Sequence, residues 1–166
     1  SNGLGPGFLI GGIPNNFKVS ARLPISNKKN SPSFFVIEAD EYDTSFFDKR
    51  SKFIHYHPNT LILNNLEFDH ADIFDNIEHI EKHFHHLIRT IPNIGKIIFN
   101  YDNDSIKKVL KMGCWSETES FGSKAQWSYK KINDDELEIY FKNKSQGFIK
   151  WDLIGHYNSL NALAAI

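Results

Sequence analysis

Three short apolar runs set the rhythm of the first two-thirds of the chain. Phe34-Phe35-Val36-Ile37, Thr60-Leu61-Ile62-Leu63 and Lys96-Ile97-Ile98-Phe99 are rich in β-branched and aromatic residues. Runs of that kind predict buried strands, the first ending at Glu38 and the second at Asn64-Asn65. Between the second and third runs the period changes. Ile73, Ile77, Ile80, Phe84 and Leu87 recur at intervals of four, three, four and three, which makes one apolar stripe on a helix. Pro92 and Gly95 close that helix. A shorter helix is predicted over 105–111, with Asp104 as its N-cap, and a strand is predicted around Phe8 to Ile10. After Gly113 the texture shifts. Gln126 to Ile132 and Glu136 to Phe141 predict strands joined by the turn formers Asn133-Asp134-Asp135. Gly147 to Ile154 would be a third, antiparallel neighbour, and 158–166 returns to an Ala-rich helix. The expected class is α/β: a mostly parallel sheet with flanking helices, plus a small antiparallel sheet in the second half.

Composition narrows the partners. At 166 residues the chain suits a single domain. Nineteen basic residues against twenty acidic ones leave a formal charge of −1, so nothing general points to nucleic acid or an anionic membrane. No run of about 18 apolar residues exists to span a bilayer, and no basic-then-apolar start predicts secretion. The lone Cys114 cannot form an internal disulfide, which fits a reducing, cytoplasmic setting. Ser1 and Asn2 read as a tag remnant. The last helix lacks a C-terminal signal and the start is equally abrupt, so residues 3–166 are read as a fragment of a longer protein.

The strongest chemical signal is a pair of acidic clusters. Glu38-Ala39-Asp40-Glu41-Tyr42-Asp43 follows the first run and Glu67-Phe68-Asp69-His70-Ala71-Asp72 follows the second. Open α/β sheets bind ligands just beyond the carboxyl ends of their strands. Four carboxylates in six residues repel one another unless they are solvated or neutralised by a cation, and hard oxygen ligands suit Mg²⁺. His70 could complete a metal shell or contact a phosphate. The competing reading is a pair of solvated loops; placement at two strand ends favours a site. His79, His83 and His86 share one helical face at metal-ligand spacing, but they mix with Glu78, Glu81 and Lys82, so a solvated polar face is the expectation. Gly3-Leu4-Gly5-Pro6-Gly7 fails as a dinucleotide loop, because no strand precedes it and the register does not fit. No G-x-x-x-x-G-K-[ST] phosphate loop occurs. Cys114 reads as a small buried hydrophobe. Arg22, Lys49 and Arg50 are candidate phosphate or carboxylate binders.

Three segments together resemble the Mur ligase family. Phe35-Val36-Ile37-Glu38-Ala39-Asp40-Glu41-Tyr42-Asp43 is similar to the family's strand ending in a metal-binding glutamate. Asn65-Leu66-Glu67-Phe68-Asp69-His70-Ala71-Asp72 resembles its N-x-E-x-D-H-x-D motif, and Gly155-His156-Tyr157-Asn158-Ser159-Leu160-Asn161 resembles its adenine-side G-x-H-N-x-x-N motif. The segments around Gly11-Gly12-Ile13-Pro14 and Phe46-Phe47-Asp48-Lys49-Arg50 look like the branch that adds a murein tripeptide rather than L-alanine. The resemblance implies an ATP- and Mg²⁺-dependent amide ligase acting on UDP-N-acetylmuramate and that tripeptide. It implies that Glu38 holds Mg²⁺, that His70 serves a second metal ion, and that both are catalytic. Asn158 and Asn161 would contact adenine, and Arg22 would lie toward the UDP-sugar acid. The family's phosphate loop and C-terminal domain have no counterpart in these residues, so no catalysis is expected from the fragment alone. Tyr157 stands where the family has its motif histidine, with His156 one place earlier.

Overall fold

The computed structural model describes residues 4–25, 33–68 and 73–166. The chain forms two compact units, Ser1–Asp40 and Glu41–Ile166.

In the first unit, β1 (Gly7–Leu9) pairs antiparallel with β2 (Ala21–Arg22) and parallel with β3 (Phe35–Ile37), in the order β2-β1-β3. Close approach fixes Gly7. A Cβ there would lie 2.6 Å from Pro24 Cδ and 2.7 Å from Phe35 Cδ2. Phe8 is buried against Phe17, with ring centroids 4.8 Å apart. The expectation of a buried strand at 34–37 needs correction: Phe34, Phe35 and Val36 are all about half exposed. The strand exists, but it pairs only with β1 in a three-stranded sheet too small to cover it.

The second unit is built on one six-stranded sheet in the order β4 (Thr60–Leu63), β5 (Lys96–Asn100), β6 (Glu117–Phe121), β7 (Trp127–Lys131), β8 (Glu136–Phe141), β9 (Lys144–Lys150). β4, β5 and β6 run parallel in long register, and β6 meets β7 through the single pair Phe121↔Trp127. β7, β8 and β9 then run antiparallel. The expected antiparallel strands are therefore present, as a continuation of the parallel sheet. The β8–β9 hairpin turns on Lys142 and Asn143, whose φ values of 48° and 64° match the twist of a two-residue hairpin loop.

Three helices cover this sheet: α1 (Ile77–Thr90), α2 (Asp104–Lys111) and α3 (His156–Ala165). Alternation along β5 shows how both faces are used. Ile97 is fully buried with Ile80, Leu87, Ile88, Ile106 and Val109, the apolar stripes of α1 and α2. The next residue, Ile98, packs on the other cluster, Phe121, Leu137, Ile139, Leu160 and Leu163, which includes α3. Truncating one such residue, Ile88→Ala for example, costs roughly 2–5 kcal/mol through lost burial and a residual cavity. α1 starts later than its apolar stripe predicts, because the Asn76 carboxamide accepts from His79 N at 2.9 Å and caps the helix there. Asn103, not Asp104, caps α2 in the same way, accepting from Ile106 N at 3.0 Å.

Candidate functional site

β4 and β5 end on the same edge, because they pair in parallel from Thr60↔Lys96 to Leu63↔Phe99. Beyond that edge the chain is held down by polar side chains. Leu66 is buried, and its carbonyl accepts from Asn103 Nδ2 at 3.3 Å. Asn100 is buried at the end of β5, and its Oδ1 accepts from Asp102 N at 2.9 Å. The first residues of α3 close the arrangement. Asn64 Nδ2 donates to Asn161 Oδ1 at 2.6 Å, joining segments 97 residues apart. Between them lies a cleft of about 410 Å³, lined among others by Asn64, Asn65, Glu67, His156, Tyr157 and Asn161. Two motifs that are remote in sequence, N-x-E after β4 and the start of α3, thus converge on one concave surface. Half of its lining residues are carboxamides, which can both donate and accept and so can match the edge of a heterocyclic base.

Within the adenine-side motif the residues take different parts. Asn161 is exposed and lines the cleft. Asn158 turns back, its Nδ2 donating to the Ile154 carbonyl at 3.0 Å, which steadies the entry to α3. Tyr157 is 77% exposed, leaving its ring face available. His156 Nδ1 lies 2.9 Å from the Tyr129 hydroxyl on β7. Sequence reasoning missed Asn64, Asn100, Asn103 and Tyr129. The signal for the first three was present in the repeated clustering of Asn and Asp after both apolar runs.

Glu38 directly follows β3. Its Oε2 accepts from Gly11 N at 2.7 Å, while its own backbone N–H bonds to Leu9 O at 2.9 Å. The carboxylate is exposed and orients one oxygen by a backbone donor. Among the described residues no three His, Cys, Asp or Glu side chains gather as a metal cage. A lone, exposed, hard-oxygen ligand nonetheless fits Mg²⁺, which is held by one or two carboxylates together with substrate phosphates and water. Arg22 is held by packing through one nitrogen and its guanidinium face. Its Nε donates to Pro6 O at 3.3 Å, and its guanidinium lies over the Phe8 and Phe17 rings at 5.1 and 4.6 Å. His70, with Asp69, Ala71 and Asp72, lies outside the described residues.

The histidine face of α1 lines a second cleft, of about 500 Å³, with Asp43, Lys49, Arg50 and Ile73. It is less solvated than its sequence predicts. His83 Nδ1 is 2.8 Å from Oγ of the fully buried Ser51, and burial, then His79 and His86, push the His83 pKa below its usual value. His79 stands edge-on to Phe74, centroids 5.4 Å apart. The basic groups are taken: Lys49 by Asp43 at 2.8 Å, and Arg50 by Asp48 at 2.7 Å. Bonding to Arg50 holds the half-buried Asp48 carboxyl well below the usual carboxylate range. Cys114, as expected, packs against the core beside α1 and α2.

Known proteins bear on both ends of the chain. The family model for the Mur ligase middle domain matches residues 8–166. The Escherichia coli UDP-N-acetylmuramate–L-alanyl-gamma-D-glutamyl-meso-2,6-diaminoheptandioate ligase is 53% identical over 166 residues, covering 99% of this chain and 35% of its own length. The UDP-N-acetylmuramate–L-alanine ligase of Buchnera aphidicola is 32% identical over 171 residues, covering 99% of this chain and 33% of its own length. The crystal structure of the UDP-N-acetylmuramate:L-alanyl-gamma-D-glutamyl-meso-diaminopimelate ligase from Neisseria meningitides superposes with a TM-score of 0.91 at 54% identity, over 98% of this chain and 51% of that one. The chain spans about a third of the length of the curated relatives it matches. With the family model matching nearly its whole length, the chain belongs to the Mur ligase family and carries that family's middle domain.

Proposed function

We propose that this chain is the nucleotide-handling part of a longer, ATP-dependent amide ligase that joins UDP-N-acetylmuramate to the tripeptide L-Ala-γ-D-Glu-meso-diaminopimelate. The observation that carries the choice of acceptor is the gap in identity: 53% to a relative named for that tripeptide, against 32% to one named for L-alanine. The nucleotide part is supported by the carboxamide-lined cleft at the ends of β4 and β5. Peptidoglycan recycling in the cytoplasm is the setting this reading implies. No helix among the described residues is long and apolar enough to cross a membrane.

In the proposed reaction the muramate carboxylate takes the terminal phosphoryl group of ATP, releasing ADP and leaving an acyl phosphate. The peptide amine then attacks the acyl carbon, a proton leaves the nitrogen and phosphate departs. Negative charge builds on the phosphoryl oxygens; Glu38 would hold Mg²⁺, which would supply opposing charge there. Glu38 contributes the hard anionic oxygen, and the Gly11 N–H holds its carboxylate in place. His70 is proposed as the ligand of a second metal ion. Asn161 and Asn158 are assigned to the adenine, with the exposed Tyr157 ring offered as a stacking surface. Arg22 is assigned to the UDP-sugar acid. Its Nε and ring contacts fix the guanidinium while leaving its outer nitrogens to pair with an anion. The phosphate loop and the remaining domains would come from the rest of the ligase.

The test is ADP release by the full-length protein with UDP-N-acetylmuramate and Mg²⁺, comparing the tripeptide with L-alanine. Turnover with the tripeptide and little with alanine is expected. Preference for alanine would move the protein to the alanine-adding branch, and no turnover with either would leave a binding domain.

A further inference from the structure

One side-chain bond ties β7 to the mouth of the cleft. Tyr129 Oη and His156 Nδ1 are 2.9 Å apart, across 27 residues of sequence. The two partners differ in freedom. Tyr129 is half-buried and packs on the cluster of Phe121, Leu137 and Leu160. His156 is exposed at the first position of α3 and lines the cleft beside Asn64, Tyr157 and Asn161. An exposed imidazole at a helix start samples several rotamers, and ordering it on a ligand costs entropy. A bond to an anchored phenol removes much of that freedom in advance. The phenol can donate or accept; when Tyr129 donates to Nδ1, the neutral ring carries its proton on Nε2, free to donate to a ligand. The bond is not needed to dock the helix, because Leu160, Ala162 and Leu163 already bury α3 in the core.

We propose that Tyr129 is a positioning residue for nucleotide recognition, fixing His156 so that its Nε2–H donates to an acceptor nitrogen of the adenine base. This inference rests on the reading of the cleft as the nucleotide site. It adds a specificity element that the adenine-side motif does not contain, since Tyr129 lies outside that motif. A fixed donor matches N1 of adenine, a bare acceptor, and opposes N1 of guanine, which bears a hydrogen. Discrimination of this kind is strong because the mismatched base leaves a polar group unpaired.

The experiment measures KM and kcat for ATP and GTP in the full-length ligase, with melting temperature as a control for folding. Tyr129→Phe, which keeps the ring and its packing, is expected to raise KM for ATP roughly three- to tenfold, the worth of one hydrogen bond. Its kcat at saturating ATP stays within about twofold, and the preference for ATP over GTP narrows. His156→Phe should give the same loss, and adding Tyr129→Phe to it should cost nothing further, because the two act as a unit. Asn161→Ala separates the inference from the reading beneath it. If Asn161→Ala weakens ATP while Tyr129→Phe changes neither KM nor base preference, the positioning role is wrong and the nucleotide cleft stands. If neither variant affects ATP, the nucleotide reading of the cleft fails. Should Tyr129→Phe lower the melting temperature by more than about 5 °C without moving base preference, the bond is structural and the inference is overturned.

Discussion

Two clefts of similar size sit on the second unit, and they use their polar groups in opposite ways. The histidine-lined cleft of α1, about 500 Å³, holds the more conspicuous residues: His79, His83, His86, Lys49 and Arg50. Lys49 and Arg50 are spent on Asp43 and Asp48, and His83 on Ser51. The cleft at the ends of β4 and β5, about 410 Å³, is lined by five carboxamides and two exposed rings, with Glu67, Asp102 and Leu160. Asn64 and Asn161 hold each other through one atom apiece, so each keeps further donors or acceptors for a ligand. Unspent hydrogen-bonding capacity at a strand end, more than the chemical reputation of a residue type, distinguishes the candidate site from a packed polar face.

The contrast is broken most severely at the acidic strand ends. Glu38→Ala or His70→Ala should reduce ligation by the full-length protein at least about 100-fold, because each is proposed to hold a metal ion against charge that develops in the transition state. The melting temperature should hold, since Glu38 is exposed and outside the core. Steady-state ADP release and a thermal melt check both halves. On α1 the signs reverse. His83→Ala strands the Ser51 hydroxyl in the interior and should cost about 1–3 kcal/mol of stability, seen in urea unfolding, without moving KM for ATP. His86→Ala, on an exposed residue of the same face, should stay within about 0.5 kcal/mol of the parent.

A pH series sharpens the same point. Burial, with His79 and His86 nearby, lowers the His83 pKa from its ordinary value of 6.5. The unfolded chain therefore binds a proton that the folded chain refuses. The stabilisation is fully present above pH 6.5 and is lost as pH falls toward the depressed folded value. Melting temperature should drop on acidification below about pH 6.5, and His83→Gln should shrink the drop. An unchanged profile in that variant would release His83 from its structural role.

Much of the fold is legible in the sequence. β4, β5 and α1 follow from apolar runs and a 3.6-residue stripe, since burial on the sheet leaves that imprint. Glu38 and the α3 motif fall at element ends, as the sequence predicts. β6 escaped notice because Glu117-Thr118-Glu119-Ser120-Phe121 is largely polar and only its last residues are buried. The exposure of β3 was hidden because an apolar run carries no record of how much sheet surrounds it. Convergence of Asn64 with Asn161 depends on a contact 97 residues long, which no local pattern encodes. The histidine spacing on α1 was readable, but its coupling to Ser51 was not, because that partner comes from a separate loop.

The carboxamide-rich cleft is the proposed nucleotide site, and the histidine-lined one is not. The most direct measurement is the ATP KM of the full-length ligase carrying Asn161→Ala, set beside His83→Ala, with a thermal melt of each. Asn161→Ala should raise the ATP KM roughly tenfold with its melting temperature within about 2 °C of the parent, while His83→Ala should melt earlier with an unchanged KM. An ATP KM that responds to His83→Ala and ignores Asn161→Ala would contradict the account.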